Sequence, residues 1–152
     1  MAQVKAIPDG YQTVTVDLNL KGAAEAIEFY KQAFGAVERG PRMSGPGDTI
    51  MHAELKIGNS IIMLADAVMG PPTQSSCHLY VGDADALWKR ATAAGAQVIL
   101  AIHDAFWGDR YGVVSDRWGN RWGIATHQED VSPEVMQQRV EEMQKRMAEA
   151  KQ

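Results

Sequence analysis

The sequence predicts an α+β protein built from two tandem βαβββ modules that form an open barrel, followed by a C-terminal helix. Three observations carry this reading. Stretches alternating with period two and stretches at helical spacing follow the order strand, helix, three strands, and that order is written twice. The two copies superimpose: the helix stops Gly35-Ala36 and Gly95-Ala96 match at an offset of 60, and the leading strands match at 61, Leu18 on Leu79 and Leu20 on Val81. A final polar segment opens with Ser132 and Pro133 and repeats methionine at helical spacing.

The elements follow in chain order. In YQTVTVDLNL, residues 11–20, Val14, Val16, Leu18 and Leu20 fall on one face and Thr13, Thr15, Asp17 and Asn19 on the other, which predicts a half-buried strand. Gly22 breaks it. AAEAIEFYKQAFGA then places Ala23, Ala26, Ile27, Tyr30, Ala33 and Phe34 on one helical stripe, and Gly35 suits the stop. Residues 36–48 predict a strand running into a long Gly/Pro-rich loop. IMHAELKIG alternates again, Gly58-Asn59 reads as a hairpin turn, and SIIMLADA is the partner strand. After GPPTQSS the order restarts: CHLYVGD is a strand, ADALWKRATAAGA a helix, QVILAIHD a strand, and DRYGVVSD with RWGIATH a closing hairpin. The expected organisation is an N-terminal arm (1–10), a domain over 11–127 made of modules 11–70 and 74–127, and a helical tail over 128–152.

Composition narrows the function. The chain of 152 residues is 45% hydrophobic, enough for a real interior, and carries a net charge of −4. That balance argues against a nucleic-acid partner, which requires a basic face. There is no apolar run of membrane-spanning length and no signal-like apolar core at the N-terminus, so a cytoplasmic protein without membrane contact is expected. Cys77 is the single cysteine. It shares the helix-facing side with Leu79, which predicts a buried, inert thiol.

A four-stranded half-sheet with one helix leaves its other face uncovered, and two such faces can line a common trough. The residues opposite the apolar stripes are Thr13, Thr15, Asp17, Asn19, His52, Glu54, Ile61, Met63, Ser76, His78, Tyr80, Arg121, Gly123 and Ala125. That set is polar for a sheet face, and a polar concavity between pseudo-symmetric halves suits a small ligand.

These residues carry a resemblance. AAEAIEFYKQAFGA, MHAELKIGNSIIMLAD, HLYVGDADALWKRATAAGA and FWGDRYGVVSDRWGNRW resemble the vicinal oxygen chelate superfamily of glyoxalases, bleomycin-resistance proteins and dioxygenases, and within it the PhnB-like branch. The likeness covers residues 11–127. It implies the fold but leaves the activity open, since the superfamily includes metal-dependent isomerases, dioxygenases, thiol transferases and metal-free proteins that sequester antibiotics. Metal-dependent members place a His, Glu or Gln at four strand positions. By the resemblance these fall on Thr15, Met63, Ser76 and Gly123, none of which is a good ligand. No metal or other cofactor is therefore expected there.

A shifted set keeps a second reading open. Asp17 and His78 are pseudo-symmetry mates two residues further along their strands, and His52 and Glu54 project from a third strand. Together they could hold a divalent metal, zinc or manganese. Without metal, His52, Glu54 and His78 are the catalytic candidates: burial would raise the Glu54 carboxyl so that it shares a proton with a histidine. Ordinary satisfaction of buried polar groups would require the same contacts.

In FWGDRYGVVSDRWGNRW, Trp107 and Arg110 are expected at one mouth of the trough, an aromatic face beside a guanidinium. Trp118 belongs to the turn, Trp122 to the core beneath the second helix, and Arg121 to the trough. His103 and His127 are expected to be solvated. In the tail, Met136, Val140, Met143 and Met147 form a narrow stripe that predicts a homodimer contact. The expected function is binding of a small polar, planar or anionic organic ligand by Asp17, His52, Glu54, His78, Tyr80, Trp107, Arg110 and Arg121. The alternative is a lyase, isomerase or transferase using the shifted cluster.

Overall fold

The computed structural model describes residues 4–151. The order is β1 (Asp17–Leu20), α1 (Ala23–Phe34), β2 (Val37–Glu38), β3 (Met43–Ser44), β4 (Ile50–Ile57), β5 (Ser60–Asp66), β6 (Ser76–Tyr80), α2 (Ala84–Ala93), β7 (Gln97–Asp104), β8 (Asp109–Ser115), β9 (Arg121–His127) and α3 (Pro133–Glu149). One sheet runs β1-β5-β4-β2, with β3 also paired to β4; the other runs β6-β9-β8-β7. In each, the first strand lies parallel to the last and the remaining pairs are antiparallel. The repeat read from periodicity is thus a repeat of topology.

Register makes the symmetry residue-specific. Asp17 pairs with Met63 and His78 with Gly123, so the offset of 61 between leading strands holds in space. The helix starts obey it too. Asp66, at the end of β5, accepts from the Gly22 and Ala23 amides at 2.8 and 3.0 Å. Its counterpart in β9, Thr126, accepts from the Ala84 amide at 2.8 Å and donates to the Val81 carbonyl at 2.8 Å. Each last strand therefore satisfies an amide that its module's helix leaves free. Burial alone would raise the Asp66 carboxyl, but three backbone amides outweigh it and hold it below its ordinary range.

Two elements differ from expectation. The first strand begins at Asp17: the Val16 carbonyl still accepts from the Met63 amide at 2.9 Å, but residues 11–15 lie outside the sheet and Val14 is 86% exposed. Over 36–48 the expected strand is the short β2, and the loop expected after it also pairs with β4, through β3. The remaining expected strands and helices lie where periodicity placed them, and α3 starts with Ser132 accepting from the Val135 amide and Pro133 in its first turn.

The modules share one core. Trp122 is buried, as expected, and reaches across to α1: its ring lies 4.7 Å from Phe34 and 5.2 Å from Tyr30. The physical reason is the indole N–H, which needs a buried acceptor and finds Asp116 Oδ2 at 3.0 Å. The same oxygen accepts from the Tyr30 hydroxyl at 2.7 Å and from Asn120 Nδ2 at 3.2 Å, while Asn120 Oδ1 accepts from the Ser75 amide. Burial, with the Asp116 charge second, pushes the Tyr30 hydroxyl far up. Trp118 packs on Phe29 and donates to the Lys21 carbonyl at 2.9 Å. Across the helix pair, Arg90 of α2 donates to the Gln32 and Lys31 carbonyls and so caps the end of α1.

Candidate functional site

The polar faces opposite the helices remain open, with two separate cavities beside them, the second of which also takes Val16, Phe34, Ile57 and Ile62 from the first module. On the first sheet, a cavity of about 490 Å³ lies between residues 6–15 and the strands, lined by Tyr11, Thr13, Thr15, Arg39, Glu54 and Met63 among others. On the second, a cavity of about 650 Å³ lies along the free edge of β6, with Ser76, His78 and Tyr80 facing the β4–β5 turn at Gly58-Asn59. Neither takes side chains from both polar sets. The reason is the shared core: the modules meet through their helix sides, α1 against α2 and Trp122.

Among the first set, Glu54 Oε2 takes Arg39 Nη1 at 3.0 Å, and Glu54 Oε1 lies 3.4 Å from His52 Nε2. Arg39 also donates to the Asp9 carbonyl and lies over the Tyr11 ring. The Tyr11 hydroxyl is buried without a hydrogen bond of proper geometry. Its proximity is nonetheless the largest influence holding the Glu54 carboxyl below its ordinary range, ahead of His52 and Arg39. This corrects the expectation that burial raises Glu54: neighbouring donors outweigh desolvation, so Glu54 is an ionised carboxylate at neutral pH. Asp17 is exposed at the start of β1.

The second set is aromatic. His78 and Tyr111 stack with ring centroids 5.5 Å apart, His78 and Tyr80 lie 4.6 Å apart, and Trp107 meets Tyr111 edge-on at 5.1 Å. Gly123 sits beneath this cluster. A Cβ there would come within 2.9 Å of His78 Nδ1 and 3.2 Å of the Tyr111 ring. Buried Asp109 fixes the wall: its Oδ2 accepts from Trp107 Nε1 at 2.9 Å and from Tyr80 at 3.1 Å, and its Oδ1 lies 2.7 Å from His127 Nδ1. Burial would raise the Asp109 carboxyl, but His127, Trp107 and Tyr80 outweigh it and hold it low.

Arg110 is turned the other way. It alternates with Asp109 and Tyr111 along β8, so it faces α2, where Nε and Nη2 meet the two oxygens of Asp85 at 3.0 and 2.9 Å. The expected aromatic–guanidinium pairing at the mouth is therefore not made by Trp107 and Arg110. Arg121 is exposed at the start of β9. Cys77 is half-buried, and burial pushes its thiol up. Sequence reasoning missed Tyr11, Arg39, Asp109, Tyr111 and His127. Strand parity could have found Tyr111, since it shares Asp109's face and pairs with Ala125.

The donor set for a metal does not fit. At the positions implied by the fold, Thr15 and Ser76 are weak donors, Met63 is a thioether, and the place of Gly123 is filled by the His78–Tyr111 stack. The shifted cluster does not assemble either: among the described residues, no three His, Cys, Asp or Glu side chains come together as a ligand group. No described helix is long and apolar enough to cross a membrane.

The paired topology and the open faces define a glyoxalase-like α+β protein. The model for the Glyoxalase/Bleomycin resistance protein/Dioxygenase superfamily matches residues 12–124, and the chain belongs to that superfamily. An uncharacterized protein of Mycobacterium bovis is 42% identical over 127 residues, covering 76% of this chain and 83% of that relative. The YjdN protein of Escherichia coli is 30% identical over 103 residues, covering 64% of this chain and 70% of its own. Among solved structures, TioX from Micromonospora sp. ML1 has a TM-score of 0.67 at 28% identity, covering 76% of this chain and 98% of TioX. A Bacillus cereus PhnB protein, described as a putative 3-demethylubiquinone-9 3-methyltransferase, shares the fold with a TM-score of 0.55 at 16% identity, covering 76% of this chain and 99% of its own.

Proposed function

We propose that this protein is a metal-independent binder of a small planar organic molecule, polar or anionic, held against its open sheet faces. The observation that supports this most directly is the stack of His78 and Tyr111 over Gly123. It puts an aromatic wall, extended by Tyr80 and Trp107, where a metal-dependent relative would need a ligand. Such rings offer a planar guest a face for stacking. His52, Glu54 and Arg39 supply polar contacts on the other sheet, and Asp17 and Arg121 lie at exposed strand starts. Since the two sets stay apart in one chain, a site using both needs a second copy. α3 agrees with a homodimer: none of its residues is fully buried, and its stripe leaves Met147 56% exposed.

A thermal-shift screen with aromatic acids and antibiotics tests the binding reading. At least one compound is expected to raise Tm, and Tyr111→Ala or Trp107→Ala should abolish that rise. Stabilisation by no compound in the screen would overturn the reading. Sedimentation tests the dimer, which a monomer at all concentrations would exclude.

A second reading has one observation in its favour. His52 and ionised Glu54 stand together beside the first-sheet cavity, as a lyase, isomerase or transferase could use for proton transfer. Turnover lost on both Glu54→Gln and His52→Ala would support it.

A further inference from the structure

His127 lies between two carboxylates. Its Nδ1 is 2.7 Å from Asp109 Oδ1 on β8, and its Nε2 is 2.9 Å from Asp130 Oδ1 on the connector between β9 and α3. A neutral imidazole has one N–H and one lone pair, so it can serve only one of them as donor; the imidazolium serves both. The two partners are unequal. Asp109 is buried and anchored by Tyr80 and Trp107, whereas the Asp130 side chain is fully exposed and free to leave.

The connector makes a further set of contacts beside this one. The Gln128 and Glu129 amides both donate to the Gly108 carbonyl, at 2.9 and 3.0 Å. Arg139 of α3 forks onto Glu129 and reaches the Phe106 carbonyl at 3.0 Å. The approach at Gly108 is close enough that a Cβ there would lie 2.3 Å from the Glu129 carbonyl oxygen. Apart from the Arg139–Glu129 fork, these contacts fall on the turn 105–108, which carries Trp107.

We propose that His127 is a proton-operated clasp that fastens the β9–α3 connector onto the turn bearing Trp107, closed when the imidazole is charged and slackened when it is neutral. The groups facing the ring are Asp109 from β8 and Asp130 from the connector, with Tyr80 of β6 and Trp107 reaching it through Asp109 and the Glu129–Arg139 pair flanking it. Asp130 first, and Asp109 second, raise the imidazole above its ordinary value. A raised group contributes its full hold below the unfolded-state value, near 6.5, and loses it as pH rises through the folded-state value. The clasp therefore opens on the alkaline side.

Amide hydrogen exchange at Gln128 and Glu129, corrected for intrinsic rates, tests this at about pH 5.5 and pH 8.5, on either side of an ordinary histidine value. In the full chain, protection is expected to fall roughly threefold or more between the two, as expected for local opening. The Trp107 indole N–H resonance should shift with the same midpoint as the His127 ring. Asp130→Asn, a change at an exposed side chain, should lower that midpoint and flatten the protection profile, and His127→Gln should remove the pH dependence. Equal protection at both pH values in the native chain, or an unchanged profile in Asp130→Asn, would overturn the proposal.

Discussion

His78 and Tyr111 come from different strands and stack nearly parallel, their planes 14° apart, because the residue beneath them, Gly123, has no side chain. Gly123→Ala is expected to wedge the rings and cost about 1–3 kcal/mol, as overpacking does. Urea unfolding measures it. A variant as stable as the native chain would show that the rings yield freely.

The modules are joined by a buried oxygen. Tyr30→Phe removes the 2.7 Å hydrogen bond to Asp116 Oδ2 and leaves Trp122 and Asn120 still donating to it. The expected loss is about 2 kcal/mol, typical of a hydrogen bond to a charged acceptor. Asp116→Ala strands all three donors and should cost more than Tyr30→Phe. Chemical denaturation of both variants tests the order.

Arg110 faces α2, so Arg110→Ala should leave the affinity for any compound found by screening within about twofold, as befits an ion pair away from the ligand wall. Titration calorimetry checks this. A tenfold loss would mean that the guanidinium reaches the ligand after all.

Acid stability should depend on Glu38. Arg42, and then Lys31, hold its carboxyl down at about 2, from an ordinary 4.5. A depressed carboxyl contributes above its unfolded-state value and loses that contribution as pH falls through the folded-state one. The native chain is therefore expected to weaken between about pH 4.5 and 2, and Glu38→Gln to show a shallower decline. Thermal melts across that window measure it.

Much of the fold was legible because period two and period 3.6 are written strongly in β4, β9 and α1. The offset between copies also located true symmetry mates, Asp17 with His78 and Met63 with Gly123. Residues 11–15 misled because their alternation continues past the point where the chain leaves the sheet; nothing local marks that departure. Trp122 was read as core correctly, but its neighbour depended on where an indole donor finds a buried acceptor, a long-range fact. The candidate site was only partly visible. Parity picked out His52, Glu54, His78 and Tyr80, yet it says nothing of how whole faces are arranged in space. Arg110 shows the limit: residue type suggested a ligand contact, while its place between Asp109 and Tyr111 sends it to the opposite side.

Each half keeps its interior only while the other is present. A fragment ending near residue 70 would bare Tyr30 and Phe34 to water and leave the end of α1 without Arg90, and one starting near 74 would bare Trp122. The duplicated segment is thus a unit of pattern and not a unit of folding. Two such peptides would be expected to gain structure on mixing, by complementation, rather than alone.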